Sequence, residues 1–231
     1  MTFSLWPVLL HCSAAGVMVW AFNWLNQSFP LGALASKQYG WHYPALTVLG
    51  LHIAFLAMIV GLLVDFAPSF KGRVSLSTNP ATVSQALRTL KRALIMVAMP
   101  VEAVIASIYW TLITFFPSLI KISATVDGTP VPFLPLSIDL SLHAIPGIAL
   151  VADFLLLEKK YSQRTVARYS IPTMVACTVS YGAWVEWCAH INGYFTYPFL
   201  TNNPFPIRLC IYAGGATVGY LSFRILNAIH S

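Results

Sequence analysis

Long apolar runs, interrupted by short polar or proline-rich stretches, make up most of the chain. They recur near 5–24, 44–66, 93–116, 135–157, 170–190 and 206–228. Each reaches or exceeds the length, about eighteen to twenty residues, that a helix needs to cross roughly 30 Å of hydrocarbon. The pattern predicts an all-α, polytopic membrane protein: a bundle of six transmembrane helices that takes up residues 1–231 as one domain. No segment between the runs is long enough for a separate soluble domain, so chemistry is confined to the bundle or its mouth.

Composition agrees with the pattern. Of the 231 residues, 58% are hydrophobic and 9% are charged, against about 25% charged in a typical soluble domain. The basic residues then give the expected orientation. Lys71, Arg73, Arg88, Lys91 and Arg92 lie between the second and third runs, Lys159, Lys160, Arg164 and Arg168 between the fourth and fifth, and Arg224 near the end. Only Lys37, Lys121 and Arg208 fall on the other side. The positive-inside rule therefore predicts cytosolic N- and C-termini. The net charge of +6 reads as this topology signal, with anionic lipid headgroups as neighbours, rather than as a nucleic-acid surface.

The first run lacks the basic leader of a signal peptide, since no Lys or Arg precedes Lys37, and is expected to be a retained helix. That fits the endoplasmic reticulum and the plasma membrane equally. Cys12, Cys177, Cys188 and Cys210 fall in the runs without paired spacing, as packing residues rather than a zinc or disulfide framework. Residues 81–92 read as a short amphipathic stretch at the cytosolic interface, and the aromatic, proline-rich NGYFTYPFLTNNPFP (192–206) as a cap on the outer surface. Corresponding runs in the two halves share no visible repeat.

Ionisable side chains inside a span are costly and mark candidate function. Asp139 and His143 stand four apart, on one helix face, and Glu186 and His190 repeat that spacing. Arg208 and Thr47 lie just inside the outer ends of their runs. All fall in one leaflet, within roughly 5–15 Å of the outer boundary at the rise of a helix. Each has a plainer reading. A membrane-helix threonine ordinarily bonds its own backbone carbonyl one turn back. His190 and Arg208 can simply meet headgroups. His52 is expected to be a packed histidine with a backbone partner, Glu102 a carboxyl beside the kink of Pro100, and Asp65 and Asp153 to face water or basic loop residues. His143 is harder to set aside. Pro146 opens the backbone beside it, and a carboxylate one turn away supplies what a general base needs. Asp139 is the nearer orienter of the ring and Glu186 its rival. No pair of histidines stands closer than ten residues, no HExxH or GxSxG occurs, and the last run has no lysine. Di-iron, zinc-hydrolase, nucleophile-elbow and retinal chemistry are thereby set aside, and no metal or cofactor is expected.

Three stretches taken together add to this reading: QYGWHYPALT (38–47), DLSLHAIP (139–146) and SYGAWVEWCAHINGYFTYPFL (180–200), with Arg208 following. In order and spacing, over 38–66 and 135–215, they resemble the androgen-induced-gene family of six-helix membrane hydrolases. The resemblance implies hydrolysis of fatty acid esters of hydroxy fatty acids by an intramembrane threonine and histidine, which fall on Thr47 and His143. It makes the expected partners a fatty-acid ester lipid and the surrounding membrane lipids; no protein partner is legible. The chain departs from the family's N-H-x-x-H pattern, with Asp139 for the asparagine and Leu140 for the first histidine. Arg208 or His190 are candidates to meet a substrate carboxylate. A lipid or proton-coupled transporter using Glu102, Asp139 and Glu186 is the alternative.

Overall fold

A computed structural model describes residues 5–66, 80–120, 125–126, 128–130 and 133–230. Lys71, Arg73 and Lys121, part of the charge pattern above, lie outside the described residues. The architecture is all-α. In chain order the helices are α1 (Leu5–Gln27), α2 (Leu31–Lys37), α3 (Leu46–Phe66), α4 (Pro80–Phe115), α5 (Leu136–His143), α6 (Ile145–Leu157), α7 (Gln163–Asn192), α8 (Pro198–Thr201) and α9 (Phe205–Ile229). A two-residue strand pair, Thr125–Val126 with Thr129–Pro130, is the one departure from helix pairing among the described residues.

Helices α1, α3, α4 and α9 are each long and apolar enough to cross a membrane, and α5 with α6, bent by 42°, passes the same test when taken as one broken span. The protein is an integral, multi-pass membrane protein. The run at 170–190 differs from the sequence expectation. Helix α7 has ample length, 30 residues, but its composition falls short of the others, because Thr178, Tyr181, Trp184, Glu186 and His190 interrupt the apolar sequence. The stretch at 81–92 also differs. It is no separate interfacial helix but the start of α4, which at about 1.5 Å per residue is far longer than the hydrocarbon is thick.

Helices α1, α3, α4, α5 and α6 form one packed body. Met18, Leu51, Met58, Ile95, Leu150 and Phe154 meet at its centre, each 1% exposed or less. Close approach of α1 and α3 depends on Gly61: a Cβ there would collide with the His11 ring at Nε2. Helices α7 and α9 pack on each other and lean on α4. They leave a cleft between this pair and the main body, and the cleft holds the site.

One end of the main body is held by buried charge. His11 Nδ1 meets Asp65 Oδ2 at 2.6 Å, and its Nε2 lies 3.3 Å from Asp153 Oδ1. Lys91 Nζ bonds the same Asp153 oxygen at 2.7 Å and Glu158 at 3.1 Å, and Arg92 reaches Glu158 at 3.1 Å. Asp153 is wholly buried; of the two surroundings expected for it, water or basic residues, it has the second, in Lys91. Burial in a membrane requires such a carboxylate to find cations, and Lys91 and His11 come from other helices of the body.

Candidate active site

The chain enters α3 through a tight turn. Gly40 (φ 84°) and Trp41 (φ 53°) are both left-handed, which glycine adopts freely and tryptophan rarely does. A Cβ at Gly40 would also stand 2.9 Å from the Cys188 sulfur. The turn sets Pro44, Ala45 and Leu46 against α7, so Thr47 falls in the first turn of α3, where the usual backbone partners lie in the turn rather than in the helix.

Those partners are already engaged. The Tyr43 carbonyl accepts from Trp184 Nε1 at 3.1 Å, and the Pro44 carbonyl accepts from the Tyr181 hydroxyl at 3.2 Å. The Thr47 hydroxyl instead stands beside the Tyr197 phenol. The Leu46 amide donates to that same phenol oxygen at 3.1 Å, and the Thr47 amide faces it as well. Burial holds the Tyr197 phenol above its ordinary pKa, so it keeps its proton and remains a donor. Half-buried Thr47 is therefore the meeting point of a helix N-terminus and a protonated phenol.

His143, 6% exposed, ends α5. Its Nδ1 bonds Asp139 Oδ1 at 2.8 Å, the i, i+4 pairing expected from the spacing. That bond leaves Nε2 as the nitrogen available to accept a proton. Tyr109 lies flat on the imidazole, ring centroids 3.4 Å apart, and its hydroxyl lies beside the Asp139 side chain. Pro146 cannot continue the hydrogen-bond ladder, and the helix breaks at Ala144. Trp110 Nε1 then caps the His143 carbonyl at 3.3 Å.

Thr47 and His143 line one cavity of about 840 Å³ between the main body and the α7–α9 pair. Its upper part reaches Leu31, Leu34 and Phe133 beneath the 194–202 cap, and its lower part descends between α4, α7 and α9. The walls are mainly aliphatic and aromatic, with Tyr109 against His143, Tyr181 and Tyr197 beside the start of α3, and Tyr212 bonded to Glu186 of α7.

The remaining sequence candidates are placed elsewhere. Glu186 does not reach His143. It takes a bidentate bond from Arg208, Nε and Nη2 both at 2.7 Å, and a third from the Tyr212 hydroxyl at 2.9 Å. Arg208 also gives Nη1 to the Asn203 carbonyl at 2.7 Å and stacks on Phe195, so its donors already serve the clamp between α7 and α9. His190 is exposed at the end of α7, beside Trp187. His52 bonds the Val48 carbonyl at 2.7 Å, one turn back. Glu102 is buried with Oε1 unpartnered, and it does not line the cavity. No group of three or more metal-ligating side chains gathers among the described residues.

Sequence reasoning missed Tyr197, Tyr109 and His42. Tyr197 sits in the segment read as an outer cap, and nothing in its spacing announces a bond to a residue 150 positions earlier. Tyr109 lies on α4, one face-turn from no other polar candidate. His42 lines the cavity; burial lowers its pKa and keeps it neutral, with Nε2 unpartnered.

Comparison with known proteins converges on one group. The family model for FAR-17a/AIG1-like proteins matches residues 7–231. A UPF0641 membrane protein of Schizosaccharomyces pombe is 30% identical over 223 residues, covering 96% of this chain and 89% of the relative. No solved structure matches. With nearly its whole length matched, the chain belongs to the FAR-17a/AIG1-like family of membrane proteins.

Proposed function

We propose that the protein is an intramembrane carboxylic ester hydrolase acting on fatty acid esters of hydroxy fatty acids, with Thr47 as nucleophile and His143 as base. The observation that carries this reading is a single one. A threonine relieved of its usual backbone bond and a carboxylate-oriented histidine line the same apolar cavity.

The chemistry follows from the parts. His143 Nε2 takes the Thr47 hydroxyl proton while Oγ1 bonds the ester carbon. Asp139 on Nδ1 holds the ring and balances the imidazolium, and Tyr109 keeps Asp139 in place. The charge that develops on the carbonyl oxygen needs donors beside Thr47. The Tyr197 hydroxyl, polarised by the Leu46 amide behind it, is the donor in position. The bond from the acyl carbon to the alcohol oxygen then breaks, and His143 returns its proton to the departing alkoxide. Water, deprotonated by His143, releases the acid and restores the Thr47 hydroxyl. An ester of two alkyl chains matches a cavity that extends both above and below these residues.

The transport alternative is less well served. Asp139 and Glu186 are each engaged with a fixed partner, and Glu102 does not line the cavity. The test is hydrolysis of such an ester by purified protein. Wild type is expected to be active, and well-folded Thr47→Val and His143→Ala to be inactive. Binding of the lipid without turnover would move the assignment to transport or storage.

A further inference from the structure

The lower half of the cavity has a regular construction. Three helices line it with one stripe each, and each stripe has a tyrosine at the top. On α9 the stripe is Tyr212, Gly215, Ala216 and Gly219; on α7 it is Tyr181, Thr178, Cys177 and Met174; on α4 it descends from Tyr109 to Pro100. The α9 and α7 spacings are those of one helix face. The chain directions agree, since α4 and α7 rise toward the tyrosine level and α9 descends from it.

The stripes converge at the bottom. A Cβ added to Gly219 would lie 3.2 Å from Val104 Cγ2, 3.4 Å from Met174 Sδ and 3.4 Å from the Pro100 carbonyl oxygen. The backbone of α9 thus closes on α4 and α7 there. One turn higher, a Cβ at Gly215 would meet only Val104 Cγ1, at 3.6 Å, so the space opens immediately above the floor. From the tyrosine level to that floor is seven residues on both α7 and α9, or about 10 Å.

We propose that this shaft is an alkyl arm with a fixed length limit, set by Gly215 above and by Gly219, Met174 and Pro100 at the floor. Building on the hydrolase reading, it receives the straight chain attached to the ester carbonyl that Thr47 attacks. An extended hydrocarbon advances about 1.25 Å per carbon, so the arm takes about eight carbons. Its walls are apolar apart from Thr178 and Cys177, so it accepts a saturated segment and excludes a charged terminus. Gly215 matters because any larger side chain there points into the shaft. A leucine would fill about the lower turn of the arm, equivalent to about four carbons.

The test is a series of 4-nitrophenyl esters from butyrate to palmitate, hydrolysed by wild type, Gly215→Leu and Met174→Ala. The wild-type kcat/KM is expected to peak near octanoate. Gly215→Leu is expected to move the peak toward butyrate and to lower octanoate turnover at least tenfold. Met174→Ala, which removes part of the floor, is expected to move the peak toward longer chains, and Gly215→Ala stands in if the leucine variant does not fold. The same proteins are compared by competition of saturated fatty acids, hexanoate to palmitate, with a bound fluorescent fatty acid. Wild type that hydrolyses no ester, with the length limit still shifting between variants in the binding assay, would remove the hydrolase and keep the arm. An identical length profile in all variants by both assays would overturn the arm.

Discussion

The Tyr109 ring lies flat on the His143 imidazole, centroids 3.4 Å apart and planes within 1° of parallel. The hydroxyl of the same tyrosine lies beside Asp139, the residue that bonds His143 Nδ1. Face and edge of the imidazole are thus held by two residues that also neighbour each other. Asp139→Ala should keep the fold and lower kcat by about 10²–10⁴-fold, because nothing then holds the ring in one tautomer or balances its charge. Steady-state kinetics against the thermal midpoint separates this from unfolding.

Tyr197 stands in a different relation to the reaction. Its oxygen accepts the Leu46 amide, one residue before Thr47, and the role proposed for its proton is to meet the carbonyl oxyanion formed when Thr47 attacks the ester. Tyr197→Phe should reduce kcat by about 10²-fold with little change in KM, as loss of one oxyanion donor does. An equal rise in KM with unchanged kcat would instead make Tyr197 a wall of the cavity.

The buried ion cluster around Asp153 predicts a stability effect away from the site. Asp153→Ala leaves Lys91 beside His11 without its main counter-charge, which should cost about 3–5 kcal/mol. Replacing the pair together, Lys91→Met with Asp153→Leu, should recover most of that loss, since no charge is then stranded. Thermal midpoints in detergent measure both.

Much of this was legible in the chain, for physical reasons. Apolar runs long enough to span a bilayer have few alternatives, so α1, α3, α4, α9 and the bent pair α5–α6 follow from hydropathy. The Asp139–His143 bond follows from helical spacing alone. Contacts between distant segments were not legible. Glu186 and Arg208 looked like separate candidates, yet stand opposite each other on α7 and α9 and form a clamp. Asp153 looked like a helix-end residue, but α4 starts earlier than its hydropathy indicates and carries Lys91 alongside it. Tyr197 belongs to an irregular segment, where no period ties a residue to its partner.

Orientation gives a further prediction. The positive-inside rule, applied to the basic residues of 88–92 and 159–168, predicts that α7 crosses as a sixth span and that both termini face the cytosol. Tags at the two ends should therefore both be cleaved by protease added to the cytosolic face of sealed vesicles, and both be protected from the other. Opposite protection of the two tags would show that α7 does not cross.

The central claim is that Thr47 carries the acyl group. The direct measurement is mass spectrometry of the protein quenched during turnover of a fatty acid ester of a hydroxy fatty acid, alongside Thr47→Val. The account predicts an acyl adduct on the peptide containing Thr47, accumulating in wild type, absent from the variant, and accompanied by loss of hydrolysis. Undiminished hydrolysis by folded Thr47→Val, or an adduct on another residue, would contradict it.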